Sequence, residues 1–193
     1  KNIASDYQKD GKFLDSRPFL EEALSIQTNL LGEEDEATIL TIMNLGACCL
    51  SQENLDESEY YWKKAIRLIK RHLSIEHEYH VFSLLALSTL NMLLKDKEKV
   101  YFYAKEALLI QLPKIIDSGD SERECRVSDF HVNEKMLLMK VYFLYEQYRQ
   151  QEKSDDIDPF LRDFLGEDYA RFGPSFTILL RSAIRAFDNM QAH

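Results

Sequence analysis

The chain has 193 residues, 45% of them hydrophobic and 11% aromatic, enough apolar content for one packed domain or a short repeat array and too much for disorder. Six Gly and four Pro leave little room for the turns of an all-β sandwich, and a formal charge of −9 disfavours nucleic acid as a partner because a phosphate backbone would be repelled. No apolar run approaches the roughly 18 residues of a membrane span, and the first residues have neither signal-peptide nor transit-peptide character, so a soluble protein is expected.

In chain order, helices are predicted near Lys1 to Lys9, Asp15 to Leu30, Ala37 to Ser51, Asp56 to Leu73, Tyr79 to Leu94 and Lys97 to Ile110, with turns at "KDGKF", "SQENL" and "LKDKE". Pro18 belongs in the first turn of a helix, which agrees with a start near Asp15. Cys48 and Cys49 point about 100° apart on their helix and do not bridge easily. With Cys125 they make an odd number, which fits a reducing, intracellular, cytoplasmic setting and buried, inert thiols.

After Pro113 the pattern changes. Residues 116–130 are polar and read as a loop, and "FHVNEKMLLMKVYFLYEQYRQQ" is apolar nearly all round its centre, as for a helix covered on more than one side. "EKSDDIDP" reads as a charged linker, with Asp158 an N-cap, Pro159 the first residue of a short helix and Gly166 its end. Following "RFGPS", a terminal helix places Phe176, Leu180, Ala183, Ile184 and Phe187 on one stripe. A C-terminal helical extension or cap thus spans 131–193.

Sliding the sequence on itself reveals a period of 42 over residues 1–115. Ala23, Ala65 and Ala107 align, as do Leu24, Ile66 and Leu108; Ile3, Leu45 and Leu87; and Ala4, Gly46 and Ser88. Large residues stay large and small ones small, which is what antiparallel helix pairs need in order to approach closely and stack into an α-solenoid.

The segment "NIASDYQKDGKFLDSRPFLEEALSIQTNLLGEEDE", with Asn2, Tyr7, Gly11-Lys12-Phe13, Pro18, Ala23-Leu24 and Leu31-Gly32, resembles the tetratricopeptide repeat in the 42-residue form found in kinesin light chains. "MNLGACCLSQENLDESEYYWKKAIRLIKRHLSIEHE" is similar again, through Asn44-Leu45-Gly46, Leu55 and Ala65-Ile66. The third unit departs from the pattern, with Ala86 in place of Asn, Lys97 in the turn and Val100 where Ser16 and Ser58 stood. The resemblance implies an all-α, right-handed superhelix whose first helices line a concave groove, and a first repeat cut from a longer array. Carried onto this sequence, the groove residues are Asn2, Leu40, Met43, Asn44, Ala47, Leu50, Phe82, Leu85, Thr89 and Met92.

Motifs for chemistry are missing: there is no phosphate-binding Gly-rich loop, no Gly-x-Ser-x-Gly, no His-Glu-x-x-His and no Cys-x-x-Cys. His77-x-x-His80 lacks further zinc ligands nearby and reads as a helix entrance. The expectation is a non-enzyme with no catalytic residues, no metal and no cofactor. A basic strip, Lys63, Lys64, Arg67, Lys70 and Arg71, reads as a solvated face balanced by Glu57 and Glu59, or as a dock for an acidic partner or membrane surface.

The expected function is therefore adaptor or scaffold work, with a peptide or amphipathic helix of another protein in the groove. An apolar groove of this size needs a cover, either that partner or the chain's own segment from Phe160 to Phe187. Alternatives are a substrate-recognition or regulatory segment of a larger enzyme or ubiquitin ligase, and self-association.

Overall fold

The computed structural model describes residues 13–117, 132–152 and 154–191. Its helices are α1 (Phe13–Leu31), α2 (Glu36–Ser51), α3 (Leu55–His72), α4 (Glu78–Leu93), α5 (Lys97–Asp117), α6 (Val132–Glu152), α7 (Ile157–Leu165) and α8 (Tyr169–Gln191), with a 3-10 turn at Gly166–Asp168. No strand occurs among the described residues. The expected helix near Lys1 to Lys9, groove residue Asn2, Cys125 and nearly all of the polar loop lie outside them. Two compact units divide within α5, between Val100 and Tyr101.

In the first unit the period is visible in the caps. Asp35 caps α2 by accepting the Ala37 N–H at 2.9 Å, and one period later His77 caps α4 by accepting the Tyr79 N–H on Nδ1 at 3.3 Å. Asn54 and Asp96 likewise accept from Glu57 N and Lys99 N at the starts of α3 and α5. Helices α2 and α4 both end through a left-handed residue, Glu53 at φ 60° and Lys95 at φ 59°. The next amide reaches back each time, Asn54 N to Cys49 O and Asp96 N to Asn91 O. In the sequence the same column one period earlier is Gly11, which lies outside the described residues.

Packing follows the caps. Helix α1 packs on α2, α2 on α3 and α3 on α4, and α2 also touches α4, the next first helix. Short connections, residues 32–35, 52–54 and 73–77, force each neighbour to reverse direction. Leu20, Ile39, Ile42, Leu45, Trp62, Ala65, Ile69, Val81, Leu84, Leu87 and Leu90 are buried.

A pair of exchanges keeps a joint of this kind one period further along the chain. Ser58 Oγ donates to the Gly46 carbonyl at 2.8 Å, tying α3 to α2. One period on, Gly46 is replaced by Ser88 and Ser58 by Val100, and the hydroxyl now comes from the other side, Ser88 Oγ to the Val100 carbonyl at 3.3 Å. The bond survives while its donor changes helix. Size is exchanged in the same columns: Gly46 goes with Trp62, Ser88 with Ala104.

The second unit is built on aromatics. Phe160 stacks on Phe164 with centroids 5.5 Å apart and takes Tyr145 and Tyr148 against its edges, while Tyr101 meets Phe164 at 4.7 Å and Tyr142 meets Phe187 at 5.3 Å. Tyr145 also donates its hydroxyl to the Asp155 carbonyl at 2.8 Å. In α8 the expected stripe is inside: Phe176, Leu180, Ala183 and Phe187 are buried, whereas Arg181 and Arg185 are exposed.

Several boundaries differ from the sequence reading. Helix α1 begins by Phe13, so Pro18 lies beyond its first turn, and α5 runs through Pro113 to Asp117. Asp156, not Asp158, caps α7, accepting the Asp158 N–H at 3.2 Å and freeing Asp158 to accept the Thr177 hydroxyl. Gly166 does end α7, at φ 60°. Gly173-Pro174 does not break α8: a Cβ at Gly173 would sit 2.5 Å from the Tyr169 ring, so Gly there permits the ring to pack over the helix. On helix α6 Leu137, Leu138, Val141, Leu144 and Tyr145 are buried, while Met139 and Phe143 are exposed.

Candidate functional site

Helices α2 and α4 each show one stripe to solvent. Along α2 it runs through Ala37, Leu40, Asn44, Ala47, Leu50 and Ser51, exposed or half-buried, at the i, i+3, i+4 spacing of one helical face. On α4 the same columns are Tyr79, Phe82, Thr89 and Met92, half-buried, and Leu93, exposed, while Ala86, in the Asn44 column, is buried. Because α2 and α4 touch, the stripes are neighbours on one surface of the first unit.

This geometry corrects two expected groove residues. Met43 and Leu85 are one period apart, and both are core, 3% and 0% exposed. Each sits one residue off the open stripe, a rotation of about 100° toward the packed side of its helix. Leu40, 39% exposed, and Leu93, 58% exposed, are the apolar side chains that solvent reaches. Asn44 is half-buried, and its amide makes no hydrogen bond among the described residues. Thr89 turns its hydroxyl to the Leu85 carbonyl at 3.0 Å and Phe82 leans on Trp62 with ring centroids 5.8 Å apart. Ala47, Leu50 and Met92 are half-buried.

Tyr79 and Ala37 are stripe members that sequence reasoning missed. Continuing the Leu40 and Phe82 columns one turn toward the helix starts would have found them. The Tyr79 ring stands edge-on to His77 at 4.7 Å, and burial, with Glu36 and Glu78 adding, pushes its phenol above the ordinary range.

The basic strip divides into paired and open halves. Lys63 pairs with Glu59 at 2.8 Å and Lys64 with Glu33 at 2.9 Å. Glu57, expected to balance the strip, is instead taken by Arg17 at 2.7 Å, which also holds Glu21 at 2.8 Å. Arg67, Lys70 and Arg71 are exposed and have no carboxylate partner among the described residues.

Nothing in the thiols or histidines assembles a reactive centre among the described residues. Cys48 and Cys49 are buried thiols, and burial pushes Cys49 up to about 11, with Glu57 reinforcing the shift and Arg17 opposing it. At neutral pH it is therefore protonated and a poor nucleophile. His77 uses Nδ1 on the α4 cap, while buried His80 directs its own Nδ1 to the Ile75 carbonyl at 2.7 Å. No group of three His, Cys, Asp or Glu side chains gathers to hold a metal ion among the described residues, nor is any described helix long and apolar enough to cross a membrane.

Paired helices on a 42-residue period, joined through small residues and exposing the first helices side by side, define a tetratricopeptide-repeat fold. The tetratricopeptide repeat family matches residues 1–71. Two crystal structures of the nearly identical TPR-like repeats of a protein from Podosopora anserina, assigned as a kinesin light chain, share the fold. One of them, a glutamine-to-methionine variant of that protein, is 17% identical with a TM-score of 0.54, covering 97% of this chain and 93% of that one; the other is 16% identical at 0.54, covering 98% and 93%. No curated protein matches the chain. Repeats of this class are typically non-catalytic modules for protein–protein interaction.

Proposed function

We propose that the open stripe of α2 and α4 binds a peptide or amphipathic helix of a partner protein, making the chain an adaptor or scaffold module. In this reading residues 1–115 are three repeats, Asn2 continues the Asn44 column, and the protein acts by holding polypeptides rather than by catalysis. The observation that carries it is a largely apolar stripe open at the Leu40, Ala47, Leu50 and Ser51 columns of α2 and again at the Phe82, Thr89, Met92 and Leu93 columns of the touching α4, with the Asn44 amide, which makes no hydrogen bond among the described residues, in the middle of the α2 stripe. An amide offers donor and acceptor together, which suits the backbone of a bound chain, while Leu40, Phe82, Met92 and Leu93 provide apolar contact.

Peptides selected from a displayed library against the protein test this. Leu40→Asp with Leu93→Asp is expected to weaken the selected peptides by about tenfold or more, about 1.4 kcal/mol, while thermal melting stays close to wild type because both positions are exposed. Peptides that bind the double variant as tightly as wild type would remove this surface from consideration.

A further inference from the structure

Arg67, Lys70 and Arg71 contrast with the other cations of α3. Lys63 and Lys64, one turn earlier, each close on a carboxylate of the chain, Glu59 and Glu33. Past Lys64 the helix offers no such partner. Tyr60, Lys64, Arg67 and Arg71 lie at i, i+4, i+7 and i+11, so one outward face carries them, with Lys70 beside it. At the start of that face Tyr60 is 56% exposed, an aromatic side chain ready for apolar contact with whatever the cations hold.

Lys70 and Arg71, in the last turn, suit the helix dipole, which accounts for their presence at this end but leaves their charge open to a ligand. The identity of that ligand follows from the charge of the whole chain, −9. Large polyanions and anionic surfaces extend well beyond the strip and meet the net negative field, and a second copy of the chain brings the same charge again. A short acidic segment is different. At physiological ionic strength charges more than about 8 Å away are screened, so a few carboxylates laid on the strip interact with it and little else.

We propose that the outer face of α3, centred on Arg67, Lys70 and Arg71, is a second docking surface, for an acidic segment of a partner polypeptide. It is separate from the α2 and α4 stripe and does not depend on it. Arg67 and Arg71 suit carboxylates better than lysines would, because each guanidinium fork can hold both oxygens of one group.

The test uses a fluorescein-labelled short oligo-L-glutamate peptide and the intact chain, read by anisotropy at low salt and at ~0.15 M. Binding is expected, falling as salt rises, lost in Arg67→Glu/Arg71→Glu and weakened about tenfold in Arg67→Gln/Arg71→Gln, the milder pair guarding against a folding defect in the reversal. Leu40→Asp/Leu93→Asp is expected to bind the oligo-L-glutamate peptide as wild type does, so the two surfaces fail or succeed separately. The proposal is overturned if the oligo-L-glutamate peptide does not bind, or if the charge reversal leaves binding unchanged. It is equally overturned if phosphatidylserine vesicles or polyuridylate displace the probe from the strip and bind more tightly. Finally, a wild-type dimer in sedimentation that Arg67→Glu/Arg71→Glu dissociates would assign the strip to a second copy instead.

Discussion

Gly46 faces the indole of Trp62 so closely that a Cβ on the glycine would lie 2.9 Å from Trp62 Cε2. Trp62 itself is 1% exposed, so its ring has little space to retreat. Gly46→Ala is expected to cost about 1–3 kcal/mol by overpacking, and Trp62→Ala about 3–5 kcal/mol through the cavity it leaves. With the ring gone the added methyl has room, so the double variant should lose clearly less than the two costs summed. Urea unfolding of the four proteins checks this; strict additivity would show that the helices are not held apart by this contact.

Ser58 and Ser88 perform one task from opposite helices. Ser58→Ala and Ser88→Ala should each cost about 1 kcal/mol, the net value of a buried hydrogen bond, and a midpoint shift of similar size in both is the expected readout. If Ser88→Ala were neutral while Ser58→Ala was not, the third repeat would have to be joined by packing alone.

Leu85 and Leu93 separate core from surface on one helix. Leu85→Ala is expected to cost about 2–5 kcal/mol, whereas Leu93→Ala should stay within about 0.5 kcal/mol. Equal losses in denaturant melts would contradict the assignment of Leu85 to the core.

Cys49 makes stability depend on alkaline pH. Its thiol is raised to about 11 in the folded chain from about 8.5 in the unfolded one. Between these values the unfolded state releases its proton first. The stabilising contribution is therefore whole below about 8.5 and declines as pH rises toward 11. Cys49→Ala should lose less stability than wild type over that window, and native Cys49 should resist iodoacetamide at pH 8 until denaturant is added. Rapid native alkylation would place the thiol in a different environment.

Much of the first unit was legible because its period is written in side-chain size. Ala23 and Ala65 keep the close approach and Leu45 and Leu87 fill the seam, so both elements and register could be read. The face each side chain presents was harder. Met43 and Asn44 are adjacent and both plausible on an apolar wall, and a one-residue step is enough to turn Met43 inward; only Thr89, Ala47 and Leu40, taken as one stripe, resolve it. In α8 the Gly173-Pro174 pair carried a break signal that Tyr169 overrides by packing on the glycine. Pairing on the strip was also beyond sequence reasoning, because Arg17, distant in the chain, draws Glu57 away from it.

The central claim is that polypeptide binds across Leu40, Asn44 and Ala47 on α2 and Phe82, Thr89 and Leu93 on α4. The most direct measurement places a photo-crosslinking residue at Ala47, half-buried on that stripe, and maps the adducts formed with a peptide selected for binding. The account predicts adducts from position 47 and none from the same probe placed at Glu22, exposed on α1. Adducts from Glu22 with none from Ala47 would contradict it.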